Sequence, residues 1–537
     1  MKKIILGCAV IALAAASSLA LAQAMGKPLD YQDPGLFKNL ILGFTVALSW
    51  QNLMYCFIGV FLGTMIGVLP GIGPVATIAM LLPITFNLPP IPALIMLAGI
   101  YYGASYGGST TAILVNLPGE SSSVVTCIDG YQMGRQGRAG PALAIAAIGS
   151  FFAGTVGTIL IALFGPPLAE LAFEFGAAEY FSMMVLGLVA ACVLASGALI
   201  KAIAMILVGL LLGIVGTDVN SGLARYSFGI SELTDGIGFV SVAMGMFGFA
   251  EIIANLETQN LDRGASQISK VGSLMPTRDD MKRSIGPILR GTGLGVIFGI
   301  LPGSHTVIAA FSSYTLEKKI SKTPERFGKG AIEGVAGPEA ANNAAAQTAF
   351  IPLLTLGIPT GAVMALMVGA MTIQGIAPGP QVMTQRPDLF WGMIASMWIG
   401  NGMLVILNLP MIGLWVKFLQ IPYRLLYPGI CLFCCIGAYS LNNSPMEVYL
   451  AAGFGLFGYY AVKWGCEPAP LLLGFVLGPL MEENLRRALL ISRGDPSIFF
   501  TRPISLGMLL VAGFLLVIIM LPIIRKKREQ VLKEELL

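Results

Sequence analysis

A long stretch without charge is the feature that most limits how this chain folds. From Asn39 to Gly119 the sequence contains no Asp, Glu, Lys or Arg. Further charge-free runs cover Ala139–Ala169, Ala340–Gln385, Leu389–Val416 and Pro503–Ile524. Each run is long enough to cross a bilayer, because a membrane-spanning helix needs about 20 apolar residues. Only 11% of the 537 residues are charged, against about 25% in a typical soluble domain, which excludes a soluble globular enzyme.

The composition favours helices over a membrane barrel. The counts of 66 Gly and 32 Pro suit a helical membrane protein better than a barrel. Barrel strands would also show short alternating segments with polar lumen positions, which this sequence lacks. We therefore predict an all-α polytopic membrane protein with about 10–12 transmembrane helices. Nucleic-acid binding has no support in the sequence. Most of the eight cysteines lie inside apolar runs, so we expect buried thiols, no disulfide framework and no resident metal.

The two ends of the sequence give the expected orientation. Met1-Lys2-Lys3, the apolar stretch Ile4–Leu21 and Ala22-Gln23-Ala24 resemble a secretory signal. Residues 1–24 are thus a signal-peptide-like segment or an uncleaved first span, and either reading places the following residues outside the cytoplasm. At the other end, the last apolar run is followed directly by Arg525-Lys526-Lys527-Arg528. A cation cluster of this kind stays inside, so we predict a cytoplasmic C-terminus.

An internal repeat divides the chain. The pattern G-x-x-x-G-x-L-P-G at Gly63–Gly71 recurs at Gly295–Gly303, 232 residues later. A second proline pair follows in the same order, Pro118 in Leu-Pro-Gly-Glu and Pro359 in Ile-Pro-Thr-Gly. We predict a first transporter half at 25–280, a second half at 281–466, and C-terminal spans with a basic tail at 467–537. Repeated halves of this kind are common in transporters.

Cations around the second Leu-Pro-Gly predict a re-entrant hairpin. Four basic residues precede it and five follow it, namely Arg278, Lys282, Arg283 and Arg290, then Lys318, Lys319, Lys322, Arg326 and Lys329. If both flanks stay in the cytoplasm, the chain enters and returns on the same side with Pro302-Gly303 at the tip. The matching segment from Leu53 to Asn87 has no flanking cations, which predicts entry from the opposite side and therefore inverted repeats.

The proline breaks are the predicted binding site. Pro-Gly inside a span frees backbone groups that lipid cannot satisfy, and the helix N-termini after the breaks attract an anion. Freed carbonyls suit Na⁺. We predict contacts with substrate or cation from two sets of residues: Gly71, Asn116, Pro118, Gly119, Ser121, Ser122 and Ser123 in the first half, and Gly303, Ser304, His305, Asn342, Asn343, Thr355, Pro359 and Thr360 in the second. Glu120 and Glu339 are the candidates for cation coupling.

Two of these assignments have a plainer alternative. Small and polar residues also allow helices to pack closely without binding anything. The imidazole of His305 has two possible roles, either a contact with a carboxylate substrate or a bond to the free carbonyls of the broken helix that stabilises the hairpin tip.

Six motifs resemble the large membrane subunit of the tripartite tricarboxylate transporters, the TctA family. They are Gly67–Pro74, Tyr102–Thr111, Asn116–Ser123, Gly337–Ala344, Leu354–Thr360 and Glu483–Ala488. The resemblance implies a bacterial inner-membrane symporter of tricarboxylates or related carboxylates, driven by Na⁺ or H⁺ and without a cofactor. It also implies two partners, a periplasmic solute-binding protein and a small four-helix membrane subunit. The family is usually glycine-rich where this chain has Ser304-His305-Thr306.

Two other function classes remain open from the sequence. Paired breaks are compatible with an ion channel as well as with a transporter. Gly103-Ala-Ser105-Tyr-Gly107 fits G-x-S-x-G, and His305 is the one histidine that could serve Ser105 as a base in an intramembrane serine hydrolase. That motif requires a strand-to-helix turn, whereas Ser105 lies in a tract predicted to be helical.

Overall fold

The chain is helical almost throughout. The computed structural model describes residues 35–69, 73–194, 198–218, 221–258, 271–301, 303, 305–419 and 423–520. Within these ranges the only strands are β1 Gly216–Thr217 and β2 Ala224–Arg225, an antiparallel pair in which Gly216 faces Arg225. The predicted all-α polytopic fold is confirmed. Residues 1–24 and the basic tail from Arg525 lie outside the described residues.

The helices of the first half range from 3 to 34 residues in length. In chain order they are α1 Leu36–Ala47, α2 Trp50–Gly67, α3 Pro74–Leu81, α4 Pro90–Val115, α5 Val124–Thr126, α6 Gln132–Arg135, α7 Ala139–Ala172, α8 Ala177–Leu194, α9 Leu199–Gly213, α10 Phe239–Ala243 and α11 Ala250–Thr258. Shorter 3-10 turns are Leu82–Asn87, Ser121–Ser123 and Ser231–Leu233, and π-helical turns are Cys127–Tyr131 and Met244–Phe249.

The remaining helices also vary widely in length. They are α12 Arg278–Gly299, α13 His305–Ile320, α14 Glu333–Thr348, α15 Phe350–Leu356, α16 Ala362–Ile373, α17 Gln381–Gln385, α18 Pro387–Asn408, α19 Ile412–Phe418, α20 Tyr423–Asn442, α21 Pro445–Lys463, α22 Pro468–Ile491, α23 Ile498–Thr501 and α24 Pro503–Met520. A 3-10 turn, Pro324–Arg326, precedes α14. The predicted boundary between 280 and 281 falls in the first turn of α12.

Several helices are suited to a bilayer. By length and composition, four helical stretches of the described chain can cross a membrane: Trp50–Gly67, Ala139–Ala172, Phe239–Glu257 and Pro387–Asn408. Shorter apolar helices accompany them, among them α9 and α16. The chain is therefore a multi-pass membrane protein, and the exact number of spans stays a prediction.

Glycines determine how α2 packs against α4 in the first half. Ideal Cβ atoms built on Gly59, Gly63 and Gly67 of α2 would lie 2.3–2.4 Å from the carbonyl oxygens of Met96, Ile100 and Ala104 in α4. No larger side chain fits at such distances. Because both sets advance by four residues in the same direction, α2 and α4 run parallel. The chain must therefore turn back between them, through α3 and the 3-10 turn that follows.

The second half repeats this contact. The pairs are Gly291 with the carbonyl of Gly337, Gly295 with that of Ala341, and Gly299 with that of Ala345, at 2.2–2.5 Å. Each of these glycines lies 232 residues after the corresponding glycine of the first half. Each residue that supplies the contacting carbonyl lies 241 residues after its first-half counterpart, and Pro359 lies 241 residues after Pro118. The extra residues fall in the returning arm, since α13 has 16 residues and α3 has 8.

The first break of the second half is a helical hairpin, as the repeat predicted, while its entry and return on one side of the membrane stay a prediction. Arg290 on α12 and Glu317 on α13 form a two-pronged ion pair, with Nε–Oε1 at 2.8 Å and Nη2–Oε2 at 2.6 Å. These residues flank the break from opposite sides in sequence, so α13 must fold back along α12. Glu317 is 2% exposed and needs such a partner, because an unpaired buried carboxylate is costly.

The two halves have opposite orientation. Tyr101 and Tyr102 of α4 pack on Phe350 of α15, with ring centroids at 6.4 and 6.1 Å. Further along α4, Ser109 donates to Glu339 of α14 at 2.6 Å. Successive contacts thus involve increasing residue numbers on α4 and decreasing residue numbers on α14 and α15, so these corresponding helices run antiparallel. Since each half is internally parallel, the repeats are inverted.

One end of the molecule collects basic side chains. Arg138 pairs with Asp280, Arg283 with Glu333 at 2.7 Å, and Arg326 with Glu333 at 3.6 Å. We call this end the basic face. The contacts bring together the start of α7 and both flanks of the hairpin.

A buried aspartate fixes the loop at the basic face. Asp129 is fully buried, and its Oδ1 accepts from the backbone N–H groups of Gly328, Gly330 and Ala331 at 2.8–2.9 Å. Its Oδ2 accepts from the hydroxyl of Tyr314 at 2.9 Å. Three backbone donors on one oxygen stabilise the charged carboxylate and hold this second-half loop against the first half.

The last helix runs toward the basic face. Helix α7 has 34 residues, about 50 Å, and crosses from Arg138 to the opposite face. There Glu179 of α8 pairs with Arg502, 3.1 Å away, and Ser182 lies 2.7 Å from Ser505. Helices α8 and α24 therefore begin together and both run toward the basic face.

Candidate substrate site at the helix breaks

A cavity of about 610 Å³ lies where the breaks of both halves meet. Its wall includes the start of α3 at Gly73-Pro74, the segment from Pro118 to Ser122, the hairpin tip at Gly303 and His305, and the start of α16 at Gly361-Ala362. Segments far apart in sequence thus converge, as the repeat predicted. The cavity continues to the ends of α8, α11 and α21 and the start of α22, at Ala191, Ala254, Val462 and Pro468. It therefore extends from the breaks toward the basic face.

The break after α4 depends on two special backbone positions. Asn116 ends α4 in the left-handed conformation, with φ of 59°, which asparagine tolerates better than most residues. A Cβ on Gly119 would lie 2.4 Å from Cα of Gly108 and 2.5 Å from the carbonyl oxygen of Gly67. The backbone at this break therefore packs directly against both α2 and α4, where those two helices are in contact. Asn116 itself is exposed and does not line the cavity.

The two breaks of the second half are tied together. The backbone N–H of Gly303 donates to the carbonyl of Thr360 at 2.6 Å. Nδ1 of His305 lies 3.0 Å from the carbonyl oxygen of Gly303, so that nitrogen carries the proton and donates it. Nε2 is buried and has no partner among the described residues. The His305 ring thus bonds to the Gly303 carbonyl of the broken helix, which also accepts the backbone N–H of His305 at 2.9 Å. Bonding to a carbonyl of the broken helix is one of the two predicted roles of His305, and its ring also lines the cavity.

Glu120 joins the halves at the cavity wall. Its Oε1 accepts from Ser122 Oγ at 2.6 Å and from Asn342 Nδ2 at 2.9 Å, and Ser105 Oγ lies 3.5 Å from Oε2. Asn342 Oδ1 is buried without a partner in the described chain. Ser123 caps the next turn by bonding to the backbone of Glu120, so its hydroxyl has a local role.

Glu339 lies deeper and does not line the cavity. It is 1% exposed and accepts from Ser109 and Thr126, both in the first half. Asn343, beside it, donates to Ser150 Oγ at 2.7 Å and to the Glu339 carbonyl at 3.1 Å. Each candidate coupling carboxylate is therefore bonded to the other half of the repeat.

The other predicted residues have varied surroundings. Pro118, Gly119, Ser121 and Ser122 line the cavity. Thr355 is buried and bonds to its own helix at Ile351, and Thr360 has a buried hydroxyl without a partner among the described residues. Pro359 and Thr360 are at the second break without lining the cavity. Gly71 and Ser304 lie outside the described residues.

Sequence reasoning missed part of the wall. Tyr101, Glu251, Tyr459 and Glu467 also line the cavity. Glu251 and Glu467 are acidic residues at the border of apolar runs, a signal that points to function in a membrane protein. They were missed because neither adjoins a proline break of the repeat.

The cavity wall combines helix N-termini, which carry partial positive charge, with carboxylate side chains. Helices α3, α13 and α16 begin at its wall, and a helix N-terminus carries about half a positive charge. No Lys or Arg lines it in the described chain. An anion would therefore be held by backbone N–H groups, and a cation by carboxylates such as Glu120. No cluster of three or more His, Cys, Asp or Glu side chains suited to a metal occurs among the described residues.

The nucleophile and base of a serine hydrolase are not paired here. Ser105 lies inside α4 and bonds to the Tyr101 carbonyl at 3.3 Å, while His305 directs Nδ1 to Gly303. There is no strand-to-helix turn at Ser105, which that chemistry requires.

Inverted repeats with broken helices around a central cavity define a class of membrane protein, the secondary-transporter type. A family comparison specifies it further. Residues 53–473 match the "Tripartite tricarboxylate transporter TctA family". The chain belongs to this family.

Two similar proteins come from Agrobacterium vitis. One, described as an uncharacterized 52.8 kDa protein in the TAR-I ttuC' 3'region, is 61% identical over 500 residues, covering 93% of this chain and 99% of its own length. The other, an uncharacterized protein in the TAR-II ttuC' 3'region, is 61% identical over 241 residues, covering 45% of this chain and all of its own. No solved structure matches the chain significantly.

Proposed function

We propose that this chain is the large membrane subunit of a binding-protein-dependent transporter that takes up tricarboxylates or related carboxylates by symport with Na⁺ or H⁺. The observation that carries the proposal is the convergence of four breaks, two from each inverted half, on one cavity. Three helix N-termini there favour an anion, and Glu120, Glu251 and Glu467 favour a cation. A site that holds both charges together suits symport.

The basic face is the cytoplasmic one in this proposal. Arg138, Arg283 and Arg326 lie there, and the helix before the basic tail runs toward it. Excess Lys and Arg marks the cytoplasmic side of bacterial inner-membrane proteins. The cavity then extends toward the cytoplasm, so the structure represents an inward-facing state. The family suggests a periplasmic binding protein and a small four-helix subunit as partners.

Uptake by the assembled complex tests the function. The chain, reconstituted with its two partners, should take up labelled citrate saturably when an inward Na⁺ or proton gradient is applied. Ser122→Ala and Asn342→Ala should each reduce uptake, because they remove bonds to Glu120 at the cavity wall. Thr355→Ala is the matched control, since its hydroxyl bonds only within its own helix. Conductance without saturable uptake would indicate a channel, and wild-type uptake in both wall variants would contradict the assigned site.

A further inference from the structure

A second, much smaller space lies between α4, α7, α14 and α18. It has a volume of about 10 Å³ and shares no residue with the large cavity. That is room for one water molecule or one small ion. Its oxygen-bearing wall residues are Tyr106, Ser109, Thr110, Ser150, Glu339 and Asn408.

One wall atom lacks any partner. Asn408 is 4% exposed, and its Oδ1 has no hydrogen bond within the described chain. Its amide nitrogen donates to the Leu404 carbonyl at 2.9 Å, which fixes the amide and leaves the oxygen free. An unsatisfied buried acceptor is unfavourable, and a proton donor or a cation relieves it.

The other wall oxygens keep lone pairs. Ser109 uses its proton on Glu339, and Ser150 Oγ accepts from Asn343 at 2.7 Å. The hydroxyl of Tyr106 donates to Asn401 at 2.8 Å. Each hydroxyl oxygen can therefore still face a cation. All six side chains can present an oxygen to this space, and the one nitrogen among them, Nδ2 of Asn408, is a donor that bonds to the Leu404 carbonyl; this set selects a hard cation.

The net charge of the wall selects a monovalent ion. Glu339 is the one acidic residue there, and none of the ion pairs among the described residues includes it. A buried carboxylate without a counter-charge is costly. One monovalent cation neutralises it, whereas divalent ions usually require more carboxylates.

We infer that this space is a binding site for one Na⁺ ion, held by Glu339, Ser109 and Asn408. Ser109 belongs to the first half and Glu339 to the second, so the ion bridges the inverted repeats. The site gives the proposed symport a cation position in addition to the carboxylates of the large cavity, and it depends on the proposed function only for the statement that Na⁺ is co-transported.

Na⁺ binding to the purified full chain tests the site without transport. We expect Na⁺ to raise the melting temperature in detergent more than K⁺ or choline at equal ionic strength. Ser109→Ala and Asn408→Leu should each weaken Na⁺ binding about tenfold, the usual effect of losing a ligand or its support. Ser396→Ala is the control, because Ser396 is buried on α18 and bonds to Met393 of its own helix.

Each outcome decides a different claim. No Na⁺-specific stabilisation of the wild type, or wild-type Na⁺ affinity in both Ser109→Ala and Asn408→Leu, would overturn the site and leave only a water-sized space. If Asn408→Leu does not fold, Ser109→Ala alone decides. Na⁺ binding with the expected variant effects but without carboxylate uptake would refute the proposed function and keep the site.

Discussion

Replacing Gly295 with alanine tests the helix register on which the repeat depends. The added Cβ would lie 2.3 Å from the carbonyl oxygen of Ala341 and 2.7 Å from Cβ of Ala344. To reach even 3.0 Å, α12 and α14 must separate by about 0.7 Å in a close-packed interior. Overpacking of this kind costs about 1–3 kcal/mol.

Gly293 on the same helix supplies the matched control. A Cβ there meets nothing within 4 Å. The gain in helix propensity on changing glycine to alanine, about 1 kcal/mol, applies at both positions and cancels in the comparison. Gly295→Ala should therefore be less stable than Gly293→Ala by about 1–3 kcal/mol, measured by reversible unfolding in detergent. Equal stability of the two variants would refute the parallel contact between α12 and α14.

Three further predictions follow from the contacts described above. Cysteines at Asp279 and Lys322 should react with impermeant reagents only from the basic face, whereas one at Thr501, exposed next to Arg502, should react only from the opposite face. Labelling of the first two from different sides would contradict the hairpin. His305→Ala should lower the amount of folded protein, because the tip loses the bond from the imidazole to the Gly303 carbonyl, and unchanged abundance with altered substrate affinity would instead show a ligand role. Asp129→Asn should destabilise the protein by about 1.5–3 kcal/mol, the value of hydrogen bonds to a charged group, with Asp279→Asn as an exposed control, since its ion pair with Arg283 at 3.7 Å is worth no more than about 0.5 kcal/mol.

The architecture could be predicted from the sequence because it depends on local signals. The second Leu-Pro-Gly with cations on both sides predicted a hairpin, and the ion pair of Arg290 with Glu317 confirms it. The 232-residue repeat is recognisable from glycine, leucine and proline in one short pattern. In the structure, the corresponding glycines of α2 and α12 contact carbonyl oxygens at corresponding positions of α4 and α14.

Contacts between the halves could not be predicted in this way. Hydrogen bonds such as Asn342 to Glu120, or Ser109 to Glu339, join residues more than 200 positions apart. Nothing in the local pattern indicates that Glu120 lies at the cavity wall while Glu339 lies beside a separate small space. Asn408 was missed for the same reason, since a single amide in an apolar helix has no distinctive neighbours in sequence.

The unequal charge of the two halves has a consequence for how such a chain arose. An ancestral half without cations near its hairpin, as in the stretch from Asn39 to Gly119, has little to fix its direction of insertion. Copies of it could enter the membrane either way and associate as opposed pairs. After duplication and fusion, basic residues around one hairpin alone, at Arg283 and Arg326, would suffice to orient both hairpins, because the connecting helices force the other copy to face the opposite way. The uncharged stretch from Asn39 to Gly119 thus takes its orientation from the charged hairpin of the second half.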